Sequence, residues 1–379
     1  MEEIKVYFDQ LIHRSTPERP VWNQEAILDN RPPHWSYIDG CMAMAALDMY
    51  EVTQEDKYFQ FLDDFIDYYI AEDGTILGYE KETYNADSIN EGKVLFALYA
   101  QTKKEKYRKA IELLYSQLLG QPRIKAGNFW HKLIYPHQVW LDGLYMIQPF
   151  YAAYELHFND GKNIPDILQQ FANVAALMKD EKTGLLYHGY DEAKTMFWAD
   201  PATGLSPNFW TRSIGWYMMA LVDTIELLQK DYAKVIQPLI QQLQDLTIHV
   251  LNFQEPQSKL FYQVTVAGNQ EGNYLETSGS CAIAYTLMKG ARLGVLPSAD
   301  FERGADVLRG VMKEKLVVKD AEFVLKDICL VAGLGGGSGK GNYEKRDGSF
   351  AYYISEPRVN NDAKGIGPLV YAYSEFLRK

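Results

Sequence analysis

The stretch Phe129-Trp-His-Lys-Leu-Ile-Tyr-Pro-His-Gln-Val-Trp-Leu-Asp-Gly-Leu-Tyr-Met concentrates aromatic rings, the basic side chains His131 and Lys132, and one carboxylate, Asp142. With Trp140 and Tyr145 close in sequence, Asp142 is expected to face an apolar wall, which disfavours the charged form, raises the pKa and makes the group a proton donor. A carboxylate in the first turn of a helix is also held as an anion by the amide dipoles, an effect of roughly 0.3–1 kcal/mol that desolvation exceeds only in a dry pocket. Asp87, in Tyr84-Asn-Ala-Asp-Ser-Ile-Asn-Glu-Gly-Lys, occupies an equivalent place in an earlier segment. Two carboxylates at a sugar-sized hollow are the usual equipment for acid/base work on glycosides. Asp87 also reads as a helix N-cap with Glu91 downstream, and Asp39 in Tyr37-Ile-Asp-Gly has the same two readings.

A third cluster, Pro207-Asn-Phe-Trp-Thr-Arg-Ser-Ile-Gly-Trp, offers Trp210 and Trp216 as stacking surfaces for a sugar ring and Arg212 as a bidentate partner for a carboxylate. The competing partner of a buried Arg212 is a protein acid such as Asp200 or Asp142. His188, in Leu186-Tyr-His-Gly-Tyr-Asp, lies on a segment feeding the same region, and His131 and Lys132 add local positive charge. A small cationic, Trp-lined pocket in an acidic protein suits a uronic acid ligand.

Other chemistries lack their motifs. Gly333-Leu-Gly-Gly-Gly-Ser-Gly-Lys-Gly fails the phosphate-loop pattern at Leu334 and Gly341, and fails the dinucleotide pattern at Ser338, so the segment reads as a flap. There is no H-E-x-x-H, EF-hand loop or G-x-S-x-G, and no histidine pair at ligand spacing. A metal centre or a serine nucleophile is not indicated.

The elements that must carry these residues are helical. Periodicity predicts twelve main helices near 2–13, 38–50, 54–72, 88–102, 104–119, 140–156, 160–179, 209–228, 232–250, 275–292, 299–312 and 366–378. The only strand candidates are Lys259 to Val266 and Gly348 to Tyr353. The helices alternate between two kinds. One kind opens with a glycine, at Gly40, Gly92, Gly143, Gly215, Gly279 and Gly365, followed by Ala- and Met-rich sequence. Glycine in a helix costs about 0.5–1 kcal/mol relative to alanine, so its recurrence implies close backbone approach on the inside of the fold. The other kind is amphipathic, as expected of an outer shell. Six inner and six outer helices in alternation describe an all-α, (α/α)6 barrel, with residues 1–379 as one domain. Connections entering inner helices, at 72–87, 120–138, 180–208, 251–274 and 313–364, are long and aromatic, which places the pocket at the N-terminal mouths of those helices.

Composition narrows the partners. With 38 Lys and Arg against 50 Asp and Glu, the chain carries a formal charge of −12, which disfavours nucleic acid. The 47% hydrophobic content is enough for a full core and rules out disorder as the main state. Cys41, Cys281 and Cys329 form no framework, the richest apolar stretch is broken by charges, and the first residues do not resemble an export signal. A cytoplasmic protein without membrane contact is the expectation. Oligomeric state is not legible.

At these residues the chain resembles glycoside hydrolase family 105, the unsaturated rhamnogalacturonyl hydrolases. The likeness is carried by Asp87-Ser-Ile-Asn-Glu-Gly-Lys, Phe129-Trp-His-Lys with Tyr135-Pro, Trp140-Leu-Asp-Gly-Leu-Tyr-Met, Trp198-Ala-Asp-Pro, Phe209-Trp-Thr-Arg-Ser-Ile-Gly-Trp, Asn273-Tyr-Leu-Glu-Thr-Ser, Arg346-Asp-Gly-Ser-Phe and Asn361-Asp-Ala-Lys-Gly-Ile-Gly-Pro. The resemblance implies an (α/α)6 barrel and hydrolysis of small oligosaccharides that end in a 4,5-unsaturated uronic acid, commonly linked to rhamnose, with neither metal nor organic cofactor. It implies Asp142 as general acid/base, assisted by Asp87 and Lys132. It assigns Tyr37, His131, Met146, His188, Trp210, Arg212 and Trp216 to the substrate pocket. Related chemistries to weigh are a family 88 glucuronyl hydrolase acting on glycosaminoglycan fragments, a sugar epimerase on the same barrel, which would need paired histidines that an isolated His188 does not supply, and a non-catalytic sugar binder.

Overall fold

A computed structural model of the chain describes residues 1–335 and 346–379. Six helical segments stand around one axis: Tyr37–Thr53, the interrupted run 87–102, Leu141–Phe158, Thr211–Tyr232, Thr277–Arg292 and Ala363–Leu377. Each packs on the next, and the last packs on the first, so the ring closes. Outside it lie Glu2–His13, Asp56–Tyr69, Glu105–Gly120, Ile164–Met178, Gln237–Leu251 and Ala299–Glu314. The fold is an (α/α)6 barrel.

Burial explains the two kinds of helix. In the fourth inner helix every residue from Thr211 to Val222 is buried, whereas Asp56–Tyr69 buries one stripe, Tyr58, Leu62, Phe65, Ile66 and Tyr69. The inner glycines allow contact that a side chain would block. A Cβ at Gly215 would lie 2.7 Å from the Cβ of Ala282, and one at Gly279 would lie 2.7 Å from Thr211 Cγ2 and 2.9 Å from the amide nitrogen of Arg212. The starts of the fourth and fifth inner helices are thereby held in near backbone contact.

Three local expectations are corrected. The second inner helix is not continuous: Asp87–Asn90 and Leu95–Thr102 are α-helical, and Glu91–Val94 between them is a 3-10 turn. Gly92 lies in that turn, where a Cβ would come within 2.4 Å of Leu114 Cδ1. Gly348 to Tyr353 is not a strand; Ser349 accepts the Tyr352 amide at 3.1 Å and starts the short helix Phe350–Ser355. Of Lys259 to Val266, only Phe261–Tyr262 is a strand, paired with Leu275–Glu276. Part of the flap read at Gly333 to Gly341, residues 336–341, lies outside the described residues.

At the C-terminal ends of the inner helices, ion pairs link three neighbours. Lys289 reaches Asp223 at 2.7 Å and Glu226 at 2.6 Å, Arg292 reaches Glu226 at 2.8 Å and Glu375 at 2.6 Å, and Arg378 reaches Glu375 at 2.9 Å. Networks of this kind contribute more than isolated surface pairs. No helix among the described residues is long and apolar enough to cross a membrane.

Candidate active site

At the opposite end, first-turn residues of four inner helices converge: Tyr37, Asp87, Asp142 and Arg212. They line one narrow hollow with His131, Lys132, Met146, His188, Trp210 and Trp216, so all ten residues selected from sequence meet there. Asp39 does not join them; it is 1% exposed and accepts the Trp22 indole N–H at 2.7 Å. A roomier groove between Gln237–Leu251 and Ala299–Glu314 has its close charge pair, Asp300 and Arg303, closed on itself at 2.6 Å.

Two small strands place the central residues. Gln138–Trp140 pairs antiparallel with Gly189–Asp191, and the Leu141 amide donates to the His188 carbonyl at 3.1 Å. That register sets His188 beside Asp142, with Nε2 lying 3.2 Å from Asp142 Oδ2. The two atoms are out of line for a full hydrogen bond, and neither has another partner among the described residues. His131 is tied to the second inner helix because its carbonyl accepts the Ala86 amide at 3.0 Å. Its Nε2 lies 3.6 Å from Asp87, and Lys132 Nζ is 2.6 Å from the other Asp87 oxygen.

The electrostatics differ from the sequence-based expectation. Asp142 is not held neutral by an indole and phenol wall. Burial pushes its pKa up, but the pull of His188 outweighs this and holds it below the usual carboxylate range. Tyr145 faces elsewhere, stacked on Trp216 at 5.0 Å, and Trp140 stacks on His131 at 4.5 Å. Burial lowers the His131 imidazole to about 4, so this ring is neutral near pH 7. Burial lowers Lys132 as well, yet Asp87 more than restores it and keeps it cationic. Asp87 makes no N-cap bond, so its partners are Lys132 and His131.

Arg212 is 1% exposed. One nitrogen donates to the Cys329 carbonyl, and the nearest acid among the described residues is Glu276 at 4.0 Å, in place of the expected Asp200 or Asp142. Its Nε and Nη1 have no hydrogen-bond partner among the described residues. Glu276 caps the fifth inner helix, accepting from the amides of Ser278 and Gly279, and it also accepts the Cys329 amide at 3.1 Å. Trp210 donates its indole N–H to Gln263 at 3.0 Å and lies under the Arg212 guanidinium at 5.0 Å. Trp210 and Trp216 are 3% and 1% exposed and form walls of the hollow.

Trp140, read from sequence as part of a wall at Asp142, lines the hollow, whereas the roles of Tyr135, Arg346, Glu276, Gln263 and Tyr353 were not read from sequence. Tyr135 and Arg346 line the hollow; Glu276 and Gln263 brace it from behind, and Tyr353 hydrogen-bonds to His188 at 2.7 Å. Most stand inside quoted sequence blocks, but nothing local separates such residues from core. His188 is also not isolated, since His131 and His188 share the hollow with Trp140 between them.

This barrel and site define a class for which known proteins give the frame. The profile of Glycosyl Hydrolase Family 88 matches residues 11–379. A solved family 105 glycoside hydrolase from C. acetobutylicum is 46% identical, with a TM-score of 0.88, covering 98% of this chain and 100% of that one. The unsaturated rhamnogalacturonyl hydrolase YesR of Bacillus subtilis is 24% identical over 271 residues, 68% of this chain and 72% of YesR. An unsaturated glucuronyl hydrolase specific for heparin shares the fold, with a TM-score of 0.68 at 14% identity, covering 100% of this chain and 94% of that one. The chain belongs to Glycosyl Hydrolase Family 88 and, through its family 105 relative, is a glycoside hydrolase of the 88/105 group. That membership sets aside the epimerase and the non-catalytic binder.

Proposed function

We propose that the enzyme removes a 4,5-unsaturated uronic acid from the non-reducing end of lyase-generated oligosaccharides, with rhamnose as the neighbouring sugar, by hydrating the C4=C5 enol ether. The observation that carries the proposal is the buried guanidinium of Arg212, with two nitrogens unpartnered among the described residues, lining the same hollow as Asp142. A buried cation with unused donors is costly unless a ligand anion supplies acceptors, and a planar carboxylate suits that fork. YesR supplies the choice of rhamnose as the linked sugar.

In this mechanism Asp142 protonates C4, positive charge develops at C5 and is shared with the ring oxygen, and water adds at C5. Asp142 takes a proton from that water, and the hemiketal opens to release the neighbouring sugar. The free enzyme holds Asp142 ionised beside His188. A substrate carboxylate docked on Arg212 brings a second negative charge and displaces water, and both effects raise the affinity of Asp142 for a proton. Asp87 and Lys132 act on the far side of the hollow as an acceptor and a fixed cation for ring hydroxyls.

The test is Asp142→Asn, followed by loss of the double bond's absorbance on unsaturated galacturonyl-rhamnose and on an unsaturated chondroitin disaccharide. Turnover should fall by about 10²–10⁴, the usual contribution of a general acid, while binding survives. Retention of most of the turnover would reject the acid assignment. Faster wild-type turnover of the chondroitin disaccharide would move the substrate to glycosaminoglycan fragments.

A further inference from the structure

Tyr353 takes no part in the chemistry above, yet it is fully buried against the acid pair. Its hydroxyl lies 2.7 Å from His188 Nδ1, a contact joining positions 165 residues apart. The placement is held from two sides: Gln263 Nε2 donates to the Tyr353 carbonyl at 3.1 Å, and the ring stacks on Trp210 at 6.2 Å. Tyr353 and His188 are both 0% exposed, so water has little access to replace the contact.

We propose that Tyr353 is a positioning residue for the acid: by accepting the Nδ1 proton of His188, it leaves Nε2 as the acceptor on which a protonated Asp142 rests before transfer. The proposal depends on Asp142 being the acid. When Asp142 carries the proton destined for C4, its hydroxyl donates to Nε2, so the hydrogen of neutral His188 must sit on Nδ1. Among the described residues, Tyr353 is the hydrogen-bonding partner of Nδ1. In the state with one proton fewer, Nε2–H donates to the Asp142 carboxylate, and the tyrosine hydroxyl turns to donate to Nδ1. One rotatable hydroxyl therefore serves both states.

Removing it affects the two states unequally. The proton-loaded state is left with a buried N–H and no acceptor, whereas the other is left only with an unused lone pair. The charged and titratable groups that share the hollow with the pair are His131, with Asp87 and Lys132 behind it, Arg212, with Glu276 behind it, and Arg346, Tyr37 and Tyr135. Cys329 and Asp347 lie near Tyr353. None of them hydrogen-bonds to Nδ1 among the described residues.

The experiment is the pH dependence of kcat and KM for Tyr353→Phe on unsaturated galacturonyl-rhamnose, with Asp142→Asn in parallel. The high-pH limb of kcat, where Asp142 loses its proton, should move to lower pH by about one unit, with kcat near pH 7 falling several-fold and KM little changed. A uniform loss at every pH with an unmoved limb would reduce Tyr353 to packing and overturn the proposal. The imidazole ¹⁵N shifts of His188 give a readout independent of turnover: a hydrogen found on Nε2 at a pH where wild type carries it on Nδ1 supports the proposal, and identical shifts overturn it. An active Asp142→Asn would overturn the acid reading itself. An inactive one beside an unshifted Tyr353→Phe would overturn the role of Tyr353 alone.

Discussion

Replacing Arg212 by lysine tests the carboxylate clamp directly. The guanidinium lies buried with Nη2 on the Cys329 carbonyl and with Nε and Nη1 unpartnered among the described residues. If both unused donors take a substrate carboxylate, they supply two hydrogen bonds to charged groups, each worth about 1.5–3 kcal/mol. A lysine ammonium keeps the charge and can restore one of them, but its shorter point charge cannot span both oxygens. The net loss of about 1.5–3 kcal/mol corresponds to a KM roughly ten- to a hundredfold higher. Turnover at saturation should change little, because Asp142 and His188 are untouched. The assay is steady-state loss of the double bond's absorbance, run on the free acid and on its methyl ester. With the ester, which offers no anionic pair of oxygens, the two enzymes should differ by less than about threefold, closing a mutant cycle on the single interaction. An unchanged KM on the free acid, or an equal penalty on acid and ester, would refute the clamp.

Two further predictions concern the scaffold. Glu276→Gln replaces one carboxylate oxygen by a donor among the amides of Ser278, Gly279 and Cys329, leaving a buried N–H without its acceptor and Arg212 without its nearest acid. Stability should drop by about 2–4 kcal/mol, read as a fall of several degrees in Tm, and KM should rise; a melting curve matching wild type would contradict this. Glu226 is pushed up by burial but pulled down more strongly by Lys289 and Arg292, to about 2, from the usual 4.5. A lowered folded pKa stabilises the protein above the unfolded pKa and loses that effect as pH falls through the folded one. The Tm advantage of wild type over Glu226→Gln should therefore be full above pH 4.5 and vanish as pH falls to about 2; a pH-independent difference would refute the coupling.

The parts of the molecule that follow from local sequence were legible, and those that follow from distant contact were not. Glycines such as Gly215 and Gly279 marked the inner helices because close packing leaves no room for Cβ there. First-turn residues such as Asp142 and Arg212 followed from helix starts, since the side chains at one end of a ring share one mouth. The ionisation of Asp142 was misjudged because sequence neighbours were taken for spatial ones. Tyr145, three residues on, faces Trp216, while His188, brought in by strand pairing, sits at 3.2 Å. Tyr353 was missed for the same reason, compounded by a helix read as a strand where Ser349 supplies the cap.

The Lys289, Arg292 and Arg378 network lies at the end of the barrel away from the hollow that holds Asp142. Substitutions that reshape the rim loops leave this brace intact, so aglycone preference can drift without loosening the scaffold. Relatives sharing that clasp should differ most in the long segments above Asp142, and enzymes tailored to new oligosaccharides are best sought by varying those segments alone.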